Sequence, residues 1–238
     1  MTTTAKDAQL AIDGGPKAVA KMTGKPQPKV GVAEFLSIAQ RFGFNEAALA
    51  RIRNAVSDAD LGAGPHLGRY YGSPGPAKNA QFEALAREKF GVKYALGVSS
   101  GTAALHAAMI AAGVGPGAEV IVAATGFYAT AASVVLSGGV PIFCDIDESM
   151  QIDPRQIERH ITPRTVAVAP THSGGSVADM GPVKEIARRH GLKVIEDCAQ
   201  APGGKYRGRY VGAIGDLGCY SISCYKIIGG GEGGMVVT

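Results

Sequence analysis

The 238-residue sequence contains no stretch approaching the ~18 consecutive apolar residues of a membrane-spanning helix. Its opening, "MTTTAKDAQLAIDGGPKAV", also lacks the continuous apolar core of a secretory signal. Both absences predict a soluble protein that stays in the cytoplasm. Charge of one sign is never concentrated: the net +4 is spread along the chain, so no basic stripe is offered to nucleic acid. Cysteine is scarce. Cys144, Cys198, Cys219 and Cys224 fit neither a zinc ribbon nor a redox C-x-x-C, which leaves buried, reduced thiols as the better reading. The five histidines, His66, His106, His160, His172 and His190, make no ligand pair at helix or hairpin spacing, and no metal is expected.

What remains is an ordinary globular composition, 46% hydrophobic and 18% charged, able to bury a real core. Residues 1–78 are punctuated by proline and glycine. One helical pattern follows Asn45, where Leu49, Ile52 and Val56 recur at helix spacing. "LGAGPHLGRYYGSPGPAKN" reads as a loop long enough to be functional, although a plain surface excursion fits it equally well.

From residue 79 to 238 helical and strand-like runs alternate: "AQFEALAREKF", "YALGVS", "TAALHAAMIAAG", "AEVIVAA", "VPIFCDI", "TVAVAP" and "LKVIED". Pro182 and Gly191 bracket "PVKEIARRHG" as a further helix. The strand-like runs are apolar throughout rather than alternating, which implies burial on both faces and therefore a mostly parallel sheet between helices. The fold class predicted is α/β, a three-layer α/β/α domain. "GGMVVT" begins one more strand and stops at Thr238, so further sequence, a second domain, is expected to be absent from this chain.

Ligands of open α/β sheets collect at the carboxyl ends of strands, so polar residues there have first claim on function. Ser100, Gly101 and Thr102 lie between a strand and a helix whose first amides lack intrahelical partners, a turn suited to a phosphate; taken alone, an ordinary N-cap is the better reading. In "KVIEDCAQA" an apolar strand runs into Glu196 and Asp197, with Gln200 a turn later. A carboxylate there suits a metal, a ribose or a protonated ring nitrogen, or is simply solvated. Lys226 follows "LGCYSIS" and precedes glycines, so its backbone is expected at a strand end with its stem among apolar neighbours, where burial would favour the nucleophilic neutral amine. An exposed lysine entering a turn is the plainer alternative. Gly229, Gly231 and Gly234 spell the G-x-G-x-x-G dinucleotide fingerprint, but no helix or downstream acid follows. Jointly, an anion-binding helix start, a strand-end carboxylate and a desolvated lysine are the parts that pyridoxal phosphate requires, in the chain order of the fold-type I enzymes.

Over the same span the chain resembles the DegT/StrS family of pyridoxal-phosphate aminotransferases acting on keto-sugars and keto-cyclitols. The motifs that carry the likeness are "FEALAREKFGVKYALGVSSGTAALHAAM", "GFYATAASV", "PIFCDID", "IDPRQIERHITPRTVAVAPTHSGG", "VIEDCAQAPGG" and "GDLGCYSISCYKIIGGGEGGMV". The resemblance implies the large domain of the aspartate aminotransferase fold. It makes Lys226 the Schiff-base lysine, Asp197 the partner of the pyridine nitrogen and Gln200 the contact of the cofactor's phenolic oxygen. Phe127 stands where the family stacks an aromatic ring on the pyridine; Gly101, Thr102 and Ser221 match phosphate ligands; His172 matches a position near the cofactor and is expected to bind substrate.

The activity implied moves an amino group from glutamate or glutamine to a keto-sugar or keto-cyclitol, within a homodimer that shares its active site across the interface. "AIDGGPKAV" is similar to the lead-in of aminocyclitol-type members. Three rivals remain. A sugar dehydratase of the same family would carry histidine in place of Lys226. A non-catalytic cofactor-binding remnant or regulatory fragment is the reading that truncation favours. An oxidoreductase would bind a nicotinamide dinucleotide at "GGGEGG".

Overall fold

The computed structural model describes residues 31–60 and 77–238, and the chain divides into two units, Met1–Gly75 and Pro76–Thr238. Most of the expected long loop, and the "AIDGGPKAV" lead-in, lie outside the described residues.

The first unit contributes helices α1 (Val32–Arg41) and α2 (Glu46–Ala55). Leu36, Ala39 and Leu49 are buried between them, with Val32 and Ile52 packed alongside. The Asn45 side chain caps α2 by accepting from the Ala48 amide at 2.9 Å. The helix ends one residue short of Val56, whose backbone is extended. Helix α1 was not predicted, although Val32, Phe35, Leu36 and Ala39 recur at helix spacing along it.

The second unit runs α3 (Lys78–Phe90), β1 (Ala95–Val98), α4 (Gly101–Ala111), β2 (Glu119–Ala123), α5 (Ala129–Leu136), β3 (Val140–Cys144), α6 (Pro154–Ile157), β4 (Thr165–Ala169), α7 (Met180–His190) and β5 (Lys193–Asp197). A two-stranded hairpin, β6 (Lys205–Tyr206) and β7 (Arg209–Tyr210), precedes β8 (Leu217–Ser221) and β9 (Gly234–Val237). Seven strands form one sheet in the order β1-β9-β8-β5-β4-β2-β3. Strands β3, β2, β4, β5 and β8 are parallel, and β9 inserts antiparallel between β8 and β1.

Each sheet face carries its own core, which makes the domain three-layered. On one face Ile121, Val168, Val194 and Tyr220 pack with Ala86 of α3 and with Val183, Ile186 and Ala187 of α7. On the other, Val120, Val122, Ala167, Ala169 and Ile195 pack against Ala104, Leu105, Ala108 and Met109 of α4 and Val134 of α5. Neighbouring residues of β2 and β4 therefore serve opposite cores, which is why these strands are apolar throughout. Because β9 runs against both neighbours, β1, β5 and β8 all end at the same edge of the sheet. The turn into α4 and the loop after β8 meet there.

Candidate functional site

At that edge lies a cavity of about 310 Å3. Gly101, Thr102, Phe127, Asp197, Gln200, Ser221 and Lys226 all line it, although they span more than half the chain. His172 is the one predicted site residue that does not. A larger groove of about 540 Å3 runs along α3 and shares Ser221, but its other walls are mainly apolar. Convergent polar groups mark the smaller cavity as the chemical one.

The anion end is built from the turn into α4. Ser100 occupies the N-cap position, and its Oγ accepts from the Ala103 amide at 3.0 Å. The amides of Gly101 and Thr102 precede any possible intrahelical acceptor, so they and the positive end of the helix dipole are free for an anion. The helix start also presses on two strands. A Cβ on Gly101 would fall 2.6 Å from Cβ of Ser221, and one on Gly234 would fall 2.3 Å from the Ser100 carbonyl oxygen. Only glycine at both positions lets β8, β9 and α4 close around this end.

Asp197 ends β5 and is almost wholly enclosed. Its Oδ2 accepts from the Thr130 hydroxyl at 2.6 Å, and its Oδ1 accepts from the Ala199 amide at 3.1 Å. Thr130 was missed from sequence, since nothing in the first turn of α5 ties it to a residue 67 positions away. Glu196, one residue earlier, points through the opposite face of the sheet because side chains alternate along a strand. Its Oε2 accepts from the Gly212 amide at 2.8 Å and pairs with His172 Nε2 at 3.0 Å; its Oε1 accepts from the amides of Ile214 (2.8 Å) and Gly215 (2.6 Å). This carboxylate therefore braces the loop before β8 rather than the cavity.

His172 is corrected on the same grounds. The ring is fully buried, its Nδ1 accepts from the Ala178 amide at 3.2 Å, and its Nε2 is engaged by Glu196. With both nitrogens occupied and no exposure, it has no atom to offer a substrate. His172, Glu196 and Cys198 bring ligand-type atoms within 4.8 Å of one another, but the acceptor capacity of Glu196 is already spent on amides. Behind Asp197, burial pushes the thiols of Cys198 and Cys219 and the phenol of Tyr220 well above their ordinary values, which keeps this layer uncharged.

Lys226 differs from its expected setting. Strand β8 ends at Ser221, and the lysine sits on a loop whose neck is closed by the Ile222 amide donating to Gly233 O at 3.0 Å. Its own amide donates to Ser223 O at 3.0 Å, and the residue is half-buried rather than enclosed in apolar neighbours. The Nζ stands 5.7 Å from the ring centroid of Phe127. Phe127 is half exposed and leans on Tyr128, with centroids 4.5 Å apart. Gln200 turns its Oε1 to the Gly174 amide at 2.8 Å. The G-x-G-x-x-G glycines lie in the same loop and run into β9, so they form no helix-capping phosphate turn.

Over most of this unit the sequence is that of one known group. The sequence model of the DegT/DnrJ/EryC1/StrS aminotransferase family matches residues 70–238. The chain belongs to this family. GDP-perosamine synthase of Caulobacter vibrioides is 45% identical over 159 residues, which cover 66% of this chain and 43% of that protein. A putative L-glutamine:3-amino-2,3-dideoxy-scyllo-inosose aminotransferase of Streptoalloteichus tenebrarius is 40% identical over 199 residues, 82% of this chain and 45% of its own. The crystal structure of NtdA from Bacillus subtilis, with its bound cofactor PMP, superposes with a TM-score of 0.64 at 39% identity, covering 69% of this chain and 37% of that one. The chain thus spans less than half the length of these DegT-family proteins. Among the described residues no helix is long and apolar enough to cross a membrane.

Proposed function

We propose that the protein is a pyridoxal-phosphate-dependent aminotransferase, moving an amino group from glutamate or glutamine to a keto-sugar or keto-cyclitol. One observation carries this reading: an anion cradle, a buried carboxylate and a lysine amine facing an aromatic ring share one cavity. The donor set fits the cofactor. The amides of Gly101 and Thr102, with the Ser221 hydroxyl, would hold its phosphate, and Phe127 would cover the ring. Asp197, kept an acceptor by the donors Thr130 and Ala199, would take the protonated ring nitrogen. Gln200 would take the phenolic oxygen.

When bound, the cofactor supplies an electron sink for a carbanion formed at the amino-acid α-carbon. Lys226 is the residue that would hold the cofactor's aldehyde carbon, and its amine would be the base that moves the α-proton. The half-exposed position on a loop suits both tasks, because the amine must leave its bond and swing within the cavity. A lysine here also disfavours the dehydratase reading.

A cytoplasmic homodimer is the assembly this reading expects. Phe127, Tyr128, Tyr225 and Ile227 are exposed beside the mouth, apolar surface that a second subunit would cover. The four thiols are unpaired, as suits a reducing compartment.

The test is to load the 238-residue chain with pyridoxal phosphate, reduce with borohydride and map the modified peptide. A label on Lys226, with amino-group exchange from glutamate or glutamine, is expected. A label on Lys226 without exchange reduces the chain to a cofactor-binding remnant, and no label, or one on another lysine, overturns the assignment.

A further inference from the structure

Gln200 presents the cavity with one kind of atom only. Its Oε1 already accepts from the Gly174 amide, so the group left to face a ligand is Nε2, a donor, for which no partner is found among the described residues. The amide cannot be turned round without setting an NH2 against an N–H. The wall beside Asp197 therefore calls for an acceptor oxygen on whatever fills the cavity.

The orientation depends on Gly174, and Gly174 has little of its own to hold it. It belongs to a single helical turn, Ser173–Gly175, whose two glycines are exposed and have φ of 62° and 85°. Backbone bonds hold its ends, the Ser176 amide donating to Ser173 O at 3.0 Å and the His172 amide to Asp197 O at 2.9 Å. The side chain that grips it is Gln151, which lies outside the cavity and is only 1% exposed. Its Oε1 accepts from the Ser173 amide at 3.0 Å, while its Nε2 donates to Ser173 O and to Ser149 O, both at 3.2 Å. The side-chain amide thus pairs with both backbone groups of Ser173 as a neighbouring strand would. It ties the turn to the segment just beyond β3.

We propose that Gln151 is a positioning residue for cofactor recognition: by clamping Ser173 it fixes Gly174, and Gly174 fixes Gln200 as a donor toward the cofactor's phenolic oxygen. The inference rests on the pyridoxal-phosphate reading above. It adds a dependence on a residue outside the cavity whose side chain hydrogen-bonds to none of the residues lining it.

The readout is discrimination between two cofactors, pyridoxal phosphate and its 3-deoxy analogue, which lacks that oxygen. Dissociation constants for both are measured by absorbance on the wild-type chain, Gln200→Ala, Gln151→Met and Gln151→Glu. Methionine keeps the buried volume and cannot pair with Ser173. Glutamate keeps the shape but sets an oxygen against two carbonyls. A hydrogen bond to a charged acceptor corresponds to a wild-type preference of about tenfold or more for pyridoxal phosphate over the analogue.

Gln200→Ala is expected to abolish that preference, and both Gln151 variants to lose most of it. A merely structural Gln151 would lower thermal stability and leave the ratio unchanged. Wild-type discrimination in a folded Gln151 variant, alongside its loss in Gln200→Ala, overturns the proposal. Failure of the wild-type chain to bind either compound overturns the cofactor reading itself, and this inference with it.

Discussion

Replacing Glu196 by glutamine removes one charge and no volume, yet it should be among the most damaging single changes in the domain. Four N–H groups point at this carboxylate: the amides of Gly212, Ile214 and Gly215, and His172 Nε2. The Glu196→Gln amide keeps one accepting oxygen, and its NH2 must face two of those donors. If it replaces Oε1, the amides of Ile214 and Gly215 are orphaned. If it replaces Oε2, Gly212 loses its acceptor, and His172 can help only by moving its proton to Nδ1, which sets that proton against the Ala178 amide. Either way two buried donors go unmet, at about 1–3 kcal/mol each, for a total of about 2–6 kcal/mol. A domain has about 5–15 kcal/mol of stability to lose.

Urea unfolding followed by circular dichroism would show a lower midpoint at unchanged slope. Hydrogen exchange should accelerate first at residues 212, 214 and 215, and spread from there. A loss below about 1 kcal/mol would mean that the carboxylate is not what braces the loop before β8, and the argument built on its four donors would fail.

Asp197→Asn makes the converse prediction. The Thr130 hydroxyl can reverse to accept from the new NH2, so the midpoint should stay within about 1 kcal/mol of wild type while turnover drops by a factor on the order of 10² or more; wild-type rates would remove the electron-sink role. Of the four cysteines, three are buried, with the Cys144 thiol pushed up to about 11 by burial, so a disulfide-exchange reagent should titrate one fast thiol, Cys224, in the native chain. Two or more fast thiols would contradict the packing described. Gly234→Ala sets a Cβ 2.3–2.4 Å from the Ser100 carbonyl and 2.7 Å from the Gly101 amide nitrogen, all unyielding backbone. It should cost about 1–3 kcal/mol in a urea titration and also weaken pyridoxal-phosphate binding, because the phosphate turn must shift; unchanged affinity would show that the turn does not depend on β9.

Much of the architecture was legible because it is written locally. Apolar runs in strands β2, β4 and β5 require cover on both faces, and Gly191 ends α7 in the left-handed conformation that its place after the helix implies. The hairpin β6–β7 escaped notice, since two-residue strands carry no periodicity. At the site, residue types and chain order pointed to Gly101, Thr102, Asp197, Gln200 and Lys226, which the fold gathers around one cavity. Pattern alone could not say which of two adjacent acids faces the cavity, and only the family resemblance chose Asp197; strand alternation gives that place to Asp197 and sends Glu196 to the buried His172.

The partners of these residues lie far away along the chain, and only folding brings them near. Thr130 reaches Asp197 across 67 positions, and Gln151 reaches Gln200 through a turn that belongs to neither. Composition and pattern therefore determined which elements form and which residues are candidates for chemistry. Tertiary structure decided the direction in which each polar atom points, because a hydrogen bond depends on angle and distance, and neither exists until distant segments meet.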